Sequence, residues 1–437
     1  MQTSTANQPT SEPESTGRTS ACGRPIRPLM PGGQRPADLL ASFFLAAIAM
    51  LLAGIVVATL TAADVTGWWG NWLALHLLLV GGVSQLILGA AQFFSTAYLA
   101  TDPPSKSMVR AELVVWNAGT VLLAVGVPVD SPPLTDLGAL LIACGLALFA
   151  VALKRLERRS LQTARWAIRW YYASASALAV GALIGVAMTR GVSWPYGSLL
   201  GAHLALNIAG WLGAAIIGTL HTFYPSLTHT QLKHPRLQGP TFISWIGGVT
   251  VLAAGEAFDL LPLAAVGWSA LTAGAVLMTI NIVGSTRAAQ APVSLAARLV
   301  GGAQLFLPVG LALALVMVAT EGVGGGLSGP WRAALGVLLA GGWIGLTVAG
   351  SMLHLLTVLN RVRNLMRSMP APAPRRDAAL TAALIASLIA LAVSKIPEFA
   401  GLSDAATLAV LISSAPVVGR ILYLAGHSLA RRVEPSR

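Results

Sequence analysis

Residues 70–94, GNWLALHLLLVGGVSQLILGAAQFF, and residues 197–225, GSLLGAHLALNIAGWLGAAIIGTLHTFYP, decide how this chain is read. Each is an apolar run long enough to cross about 30 Å of hydrocarbon. Each carries a histidine six residues past its start, His76 (76 − 70) and His203 (203 − 197). At about 1.5 Å of rise per residue, both rings fall roughly 9 Å inside the same face of a bilayer. An imidazole in hydrocarbon is costly, so it reads first as functional.

The remainder of the chain has the same character. Of its 437 residues 55% are hydrophobic and only 10% charged, and the mean hydropathy is +0.72. Those values place it with polytopic membrane proteins rather than soluble domains. Spans are predicted at 37–62, 70–100, 108–128, 134–154, 165–188, 197–224, 239–257, 262–283, 294–319, 330–358, 376–394 and 403–428. The fold class is therefore all-α, a bundle of about twelve transmembrane helices within residues 37–430. Turn chemistry separates the runs, with DPPS at 102–105, DSPP at 130–133 and GVGGG at 322–326.

Charge orients the bundle. With the N-terminus in the cytoplasm, 24 of the 28 Lys and Arg residues fall in the loops and tails of that side. The opposite side has only Arg190, Arg332 and Lys395, and Arg420 lies in the last span. This asymmetry predicts both termini in the cytoplasm and a multi-pass protein of a bacterial cytoplasmic membrane. The net charge of +12 is thus a topological signal aimed at the lipid bilayer, and nucleic-acid binding is not expected. Residues 1–36, rich in Ser, Thr, Pro and Gly, read as a disordered cytoplasmic tail rather than a signal peptide, and residues 431–437 as a short basic one. Two cysteines, Cys22 and Cys144, form no CxxC or CxxCH motif, which argues against c-type haem and zinc knuckles.

Haem or copper is the natural partner of paired intramembrane imidazoles. Asn207, one turn below His203, is placed to orient that ring or meet a ligand. His221 lies 18 residues beyond His203, five full turns, on the same face but at the cytoplasmic end. With His354 in the tenth span, and with His229 and His234, it forms a candidate second metal site. The competing reading for these inner histidines is ordinary interfacial solvation. Gln85 and Gln92, projected on a straight helix, fall nearly opposite His76 and suit interhelical hydrogen bonding. Glu112 and Arg420 sit where snorkelling or pairing is expected. A weak repeat relates Gly210-Trp211 with Gly213 and Gly218-Thr219 to Gly342-Trp343 with Gly345 and Gly350-Ser351, a constant 132 residues on (342 − 210). Small residues at such spacing are explained by close helix packing.

Twelve spans with histidines at matching depth on the second and sixth resemble the catalytic subunit of haem–copper oxidases. The segments His76-LLLVGG and HLALNIAGWLGAAIIGTLHTFYP are also similar to helices of NnrS-type haem- and copper-containing proteins. They are closer still to the membrane halves of actinobacterial copper oxidases of the nitrite-reductase-like kind. By that resemblance His76 would ligate a haem b and His203 a copper ion, with a redox or multicopper protein as partner. The family's paired histidines on helix 7 have no counterpart in TFISWIGGVTVLAAGEAF, residues 241–258, and its His-x-His on helix 10 is missing. A complete oxygen-reducing centre is therefore not expected. The resemblance implies instead a haem- or copper-binding membrane protein serving electron transfer, nitric-oxide handling or copper handling. The alternatives are a secondary transporter of a small solute and an assembly partner of a respiratory complex.

Overall fold

A computed structural model describes residues 35–161, 165–325, 329–363 and 373–430. Most of those residues are helical, with no strand among them. Twelve helices are long and apolar enough to cross a membrane: α1 (Pro36–Ala62), α2 (Gly70–Tyr98), α3 (Lys106–Gly126), α4 (Pro132–Arg159), α5 (Trp166–Thr189), α6 (Tyr196–Leu227), α7 (Pro235–Ala257), α8 (Leu261–Ala288), α9 (Leu295–Glu321), α10 (Arg332–Arg361), α11 (Pro374–Ser394) and α12 (Pro397–His427). Each span read from the sequence falls on one of them. Hydrocarbon offers no partner to a free N–H or C=O, and a helix satisfies both within itself. The proposed tails lie outside the described residues, apart from Arg35 and Pro36 at the start of α1.

Helix α6 is the axis of the bundle. Of its most apolar 18-residue stretch 72% is buried by other helices, against 22% for α1 and for α12. Its two neighbours in kind are α2 and α10. All three change from α- to π-helical hydrogen bonding in their first halves, at Leu77–Val83, Ala205–Gly213 and Val337–Gly345. The last two stretches are 132 residues apart at both ends (337 − 205), the spacing of the glycine–tryptophan repeat.

A stronger repeat joins the hairpins that follow α2 and α6. The α3–α4 pair is closed by Gly119 against Ile142, Gly138 against Leu123, Gly126 against Thr135 and Gly145 against Trp116. The α7–α8 pair is closed by Gly248 against Leu271, Gly267 against Leu252, Gly255 against Ala264 and Gly274 against Trp245. Every residue has its equivalent 129 positions on (245 − 116, for instance). A Cβ on Gly138 would stand 2.8 Å from the Leu123 nitrogen, and one on Gly267 would stand 2.6 Å from the Leu252 nitrogen and Cα. Nothing larger than glycine fits between these backbones, and such contact is how helices associate in lipid. Even the turns correspond, since Asp130 and Asp259 adopt φ of 50° and 54°, a left-handed conformation that Asp tolerates better than most residues.

The repeated tryptophans also serve the π segments. Trp116 donates its indole N–H to the Val80 carbonyl at 3.0 Å, and Trp245 donates to the Ala209 carbonyl at 2.9 Å. Both acceptors lie inside π-helical stretches, where the change of register disturbs the normal carbonyl pairing. Trp211 of α6 reaches Ser84 of α2 at 2.8 Å and ties the two central helices together.

Candidate functional site

His76 is the last α-helical residue before the π segment of α2, and His203 is the last but one before that of α6. The corresponding part of α10 is RAALG, which has no histidine. Two of the three helices thus carry an imidazole within two residues of the start of the π segment. π-Helical interruptions of this kind concentrate at functional sites.

The His76 ring stacks on Trp72, with centroids 4.0 Å apart and planes 25° from parallel. Its Nδ1 is 2.8 Å from the Trp72 carbonyl. The bond to the carbonyl one turn back recurs at His221 and His427, so it reflects a rotamer that helical histidines favour. His203 differs, because its Nδ1 reaches another helix, the Gly181 carbonyl of α5, at 2.8 Å. Glycine is required there: a Cβ at Gly181 would stand 2.4 Å from Asn207 Nδ2, and one at Gly185 would stand 3.1 Å from His203 Cε1. Asn207 Nδ2 lies 2.7 Å from the His203 carbonyl and 3.3 Å from its Nδ1. Asn207 therefore supports this ring. With Nδ1 of both rings held by main-chain oxygen, Nε2 is the nitrogen left for a ligand, the arrangement that histidine ligands of metals commonly show.

His76 and His203 lie within electrostatic reach of each other. They are not in contact. His76 borders a small cavity of about 10 Å³ with Leu77, Val80, Thr120, Leu123 and Ala124, whereas His203 rests against α5.

The inner histidines are spread over two sides of α6. His221 is buried beside Trp170 of α5, with centroids 6.2 Å apart, and its Nε2 has no hydrogen-bond partner. His354 meets Phe223 edge-on at 5.5 Å. Residues 221 and 223 are about 200° apart around a helix, so the body of α6 stands between the two imidazoles. His354 instead shares an electrostatic neighbourhood with His229, and Asn281 of α8 holds the backbone of His234 at 2.9 Å. No group of three or more His, Cys, Asp or Glu side chains placed to hold a metal occurs among the described residues.

Two expectations about the polar residues change. On a straight helix Gln85 and Gln92 point away from His76. In the structure His76, Gln85 and Gln92 all look onto α3, because the π segment intervenes. Each extra residue taken into such a turn moves the downstream face by about 100°. Glu112, expected to snorkel or to pair, does not snorkel: it is 0% exposed and accepts from Gln92 at 3.1 Å. The 129-residue repeat is legible in the spacing of the glycines and tryptophans of residues 116–145 and 245–274.

Fold and site together define a multi-pass, all-helical membrane protein with a pair of intramembrane histidines on its central helices. No family model matches the chain, and no curated protein matches it.

Proposed function

We propose that the protein holds an imidazole-ligated metal, a b-type haem or a copper ion, at His76 and His203. It would serve electron transfer, nitric-oxide handling or copper handling, without a complete oxygen-reducing centre. The observation that carries this reading is that α2 and α6 each carry an imidazole just before the π segment, each with Nδ1 on a main-chain oxygen and Nε2 left over. The donor set suits copper or haem iron. Gly181 and Asn207 would fix the His203 ring, and Trp72 would shield His76 from water. The bound metal would supply one-electron chemistry or a binding position for a small ligand. Because the cavity beside His76 is walled by α2 and α3 alone, a single ion asks for less rearrangement than a haem.

The test is a reduced-minus-oxidised optical spectrum with metal analysis on detergent-purified protein from haem- and copper-replete cells. Wild type should carry haem or near-stoichiometric copper, and both His76→Ala and His203→Ala should lose it. A metal-free and haem-free wild type refutes the reading.

A second reading, secondary transport, is favoured by one observation. A cavity of about 70 Å³ lies between α1, α2, α6 and α10, walled by Phe44, Phe94, Phe223 and Met352, with Thr219 and Ser351 on its lining. Transporter sites form where interrupted helices of repeated units converge. Solute uptake by proteoliposomes containing cofactor-free protein would establish this alternative.

A further inference from the structure

Polar side chains follow the contact between α2 and α3 from the basic side of the bundle to His76. Glu112 lies six residues into α3 (112 − 106) and is fully buried. Both of its oxygens are 3.1 Å from Gln92 Nε2. Gln92 Oε1 and Ser95 Oγ, one turn nearer the basic side, are buried without a hydrogen-bond partner. Further out, Gln85 and Asn117 exchange two amide hydrogen bonds, at 3.1 and 2.9 Å. Thr120 then borders the cavity that His76 lines.

Among the described residues no cation pairs with Glu112. On its own helix Lys106 and Arg110 are exposed. On α4, Lys154 pairs with Glu157 at 2.8 Å and Arg155 points to the Met108 sulfur. The Tyr98 hydroxyl of α2 is hydrogen-bonded with that of Thr222, and Asp38 stands in the first turn of α1. Among the described residues, Gln92 is the side chain that hydrogen-bonds to the Glu112 carboxyl. A carboxylate so placed loses far more hydration than one amide N–H returns. A carboxylic acid, by contrast, has an O–H to offer, and the orphaned Gln92 Oε1 is an acceptor in need of one.

The second repeat supplies an internal control. At the places equivalent to Glu112 and Asn117 it has Thr241 and Ile246 (112 + 129 and 117 + 129), yet α7 and α8 close on the same glycines. The hairpin therefore folds without an acid. A buried intramembrane acid that the architecture does not need is a candidate for function.

We propose that Glu112 is a proton-exchanging acid of the membrane domain. It holds a proton at neutral pH, shared with Gln92, and exchanges it with water on the basic side past Ser95. On release the carboxyl O–H bond breaks, the proton leaves along the seam and a carboxylate remains; uptake from the same water restores the acid. Such a group lets the bundle take up a compensating charge, whether a metal or a solute occupies it.

Infrared spectroscopy of the full-length protein in detergent at pH 7, in H₂O and in D₂O, tests this. Wild type should show a protonated-carboxyl C=O band that moves to lower frequency within minutes of transfer to D₂O. Glu112→Gln should abolish that component. Glu256→Gln, which removes another buried acid, should leave it in place. Glu112→Asp should displace the band rather than remove it, which keeps the test readable should Glu112→Gln fail to fold. Identical carboxyl absorption in wild type and Glu112→Gln, or a Glu112 band that does not respond to D₂O, overturns the proposal. None of these readouts requires a metal, so a failed haem or copper test leaves this one intact.

Discussion

Gly267→Ala should be among the most damaging single-methyl changes in the protein. The added Cβ would stand 2.6 Å from three atoms of Leu252, two of them backbone, where ordinary contact begins at 3.4 Å. Relief requires α7 and α8 to separate by 0.8 Å (3.4 − 2.6) along a seam that Gly248, Gly255 and Gly274 also close. Overpacking costs typically about 1–3 kcal/mol, and with no flexible side-chain end to yield, the upper part of that range applies. Gly247, on the facing helix α7, has nothing within 4 Å of its Cβ position, so Gly247→Ala should stay within about 0.5 kcal/mol of wild type. The expected gap of about 2–3 kcal/mol is roughly 30- to 150-fold in the folding equilibrium. Denaturation by sodium dodecyl sulfate in mixed micelles, followed by tryptophan fluorescence, measures it. Gly138→Ala, whose Cβ would meet the Leu123 nitrogen at 2.8 Å, should follow closely behind Gly267→Ala. Equal stability of Gly267→Ala and Gly247→Ala would refute the account of the repeat as a glycine-closed hairpin.

Three further outcomes are expected. Gln85→Leu or Asn117→Leu alone leaves a buried amide unpaired and should cost about 1–3 kcal/mol, while the double variant should recover much of the loss; strict additivity in the same assay would contradict the reciprocal pair. Trp116→Phe and Trp245→Phe each strand a π-segment carbonyl and should destabilise by about 1 kcal/mol or more, whereas Trp68→Phe, exposed at the surface, should not. On the metal-binding reading Asn207→Ala should weaken metal retention by about 10- to 100-fold, the range for groups that orient a ligand, and His203→Ala should abolish it; equal effects in an equilibrium-dialysis titration would make Asn207 itself a ligand.

The twelve helices were legible in the sequence because crossing hydrocarbon is a local requirement. Every stretch must be long, apolar and self-satisfied in its hydrogen bonds, and nothing distant can excuse it. That His76 and His203 fall near the starts of their helices was legible for the same reason, since position is counted along one helix at a time. Which faces meet is a different matter. Lipid gives no hydrophobic pull between helices, so their rotation is settled by where glycines let backbones touch and where polar side chains find partners on other helices. That is why His221 and His354, both near the inner ends of their helices, come to rest on opposite sides of α6, and why His203 finds its carbonyl on α5. It is also why Glu112 is buried against Gln92 instead of reaching for the surface. The π segment between His76 and Gln85 is the clearest case. A period counted at 100° per residue points these residues apart, and only the tertiary structure, by displacing the hydrogen-bond register, turns both onto α3.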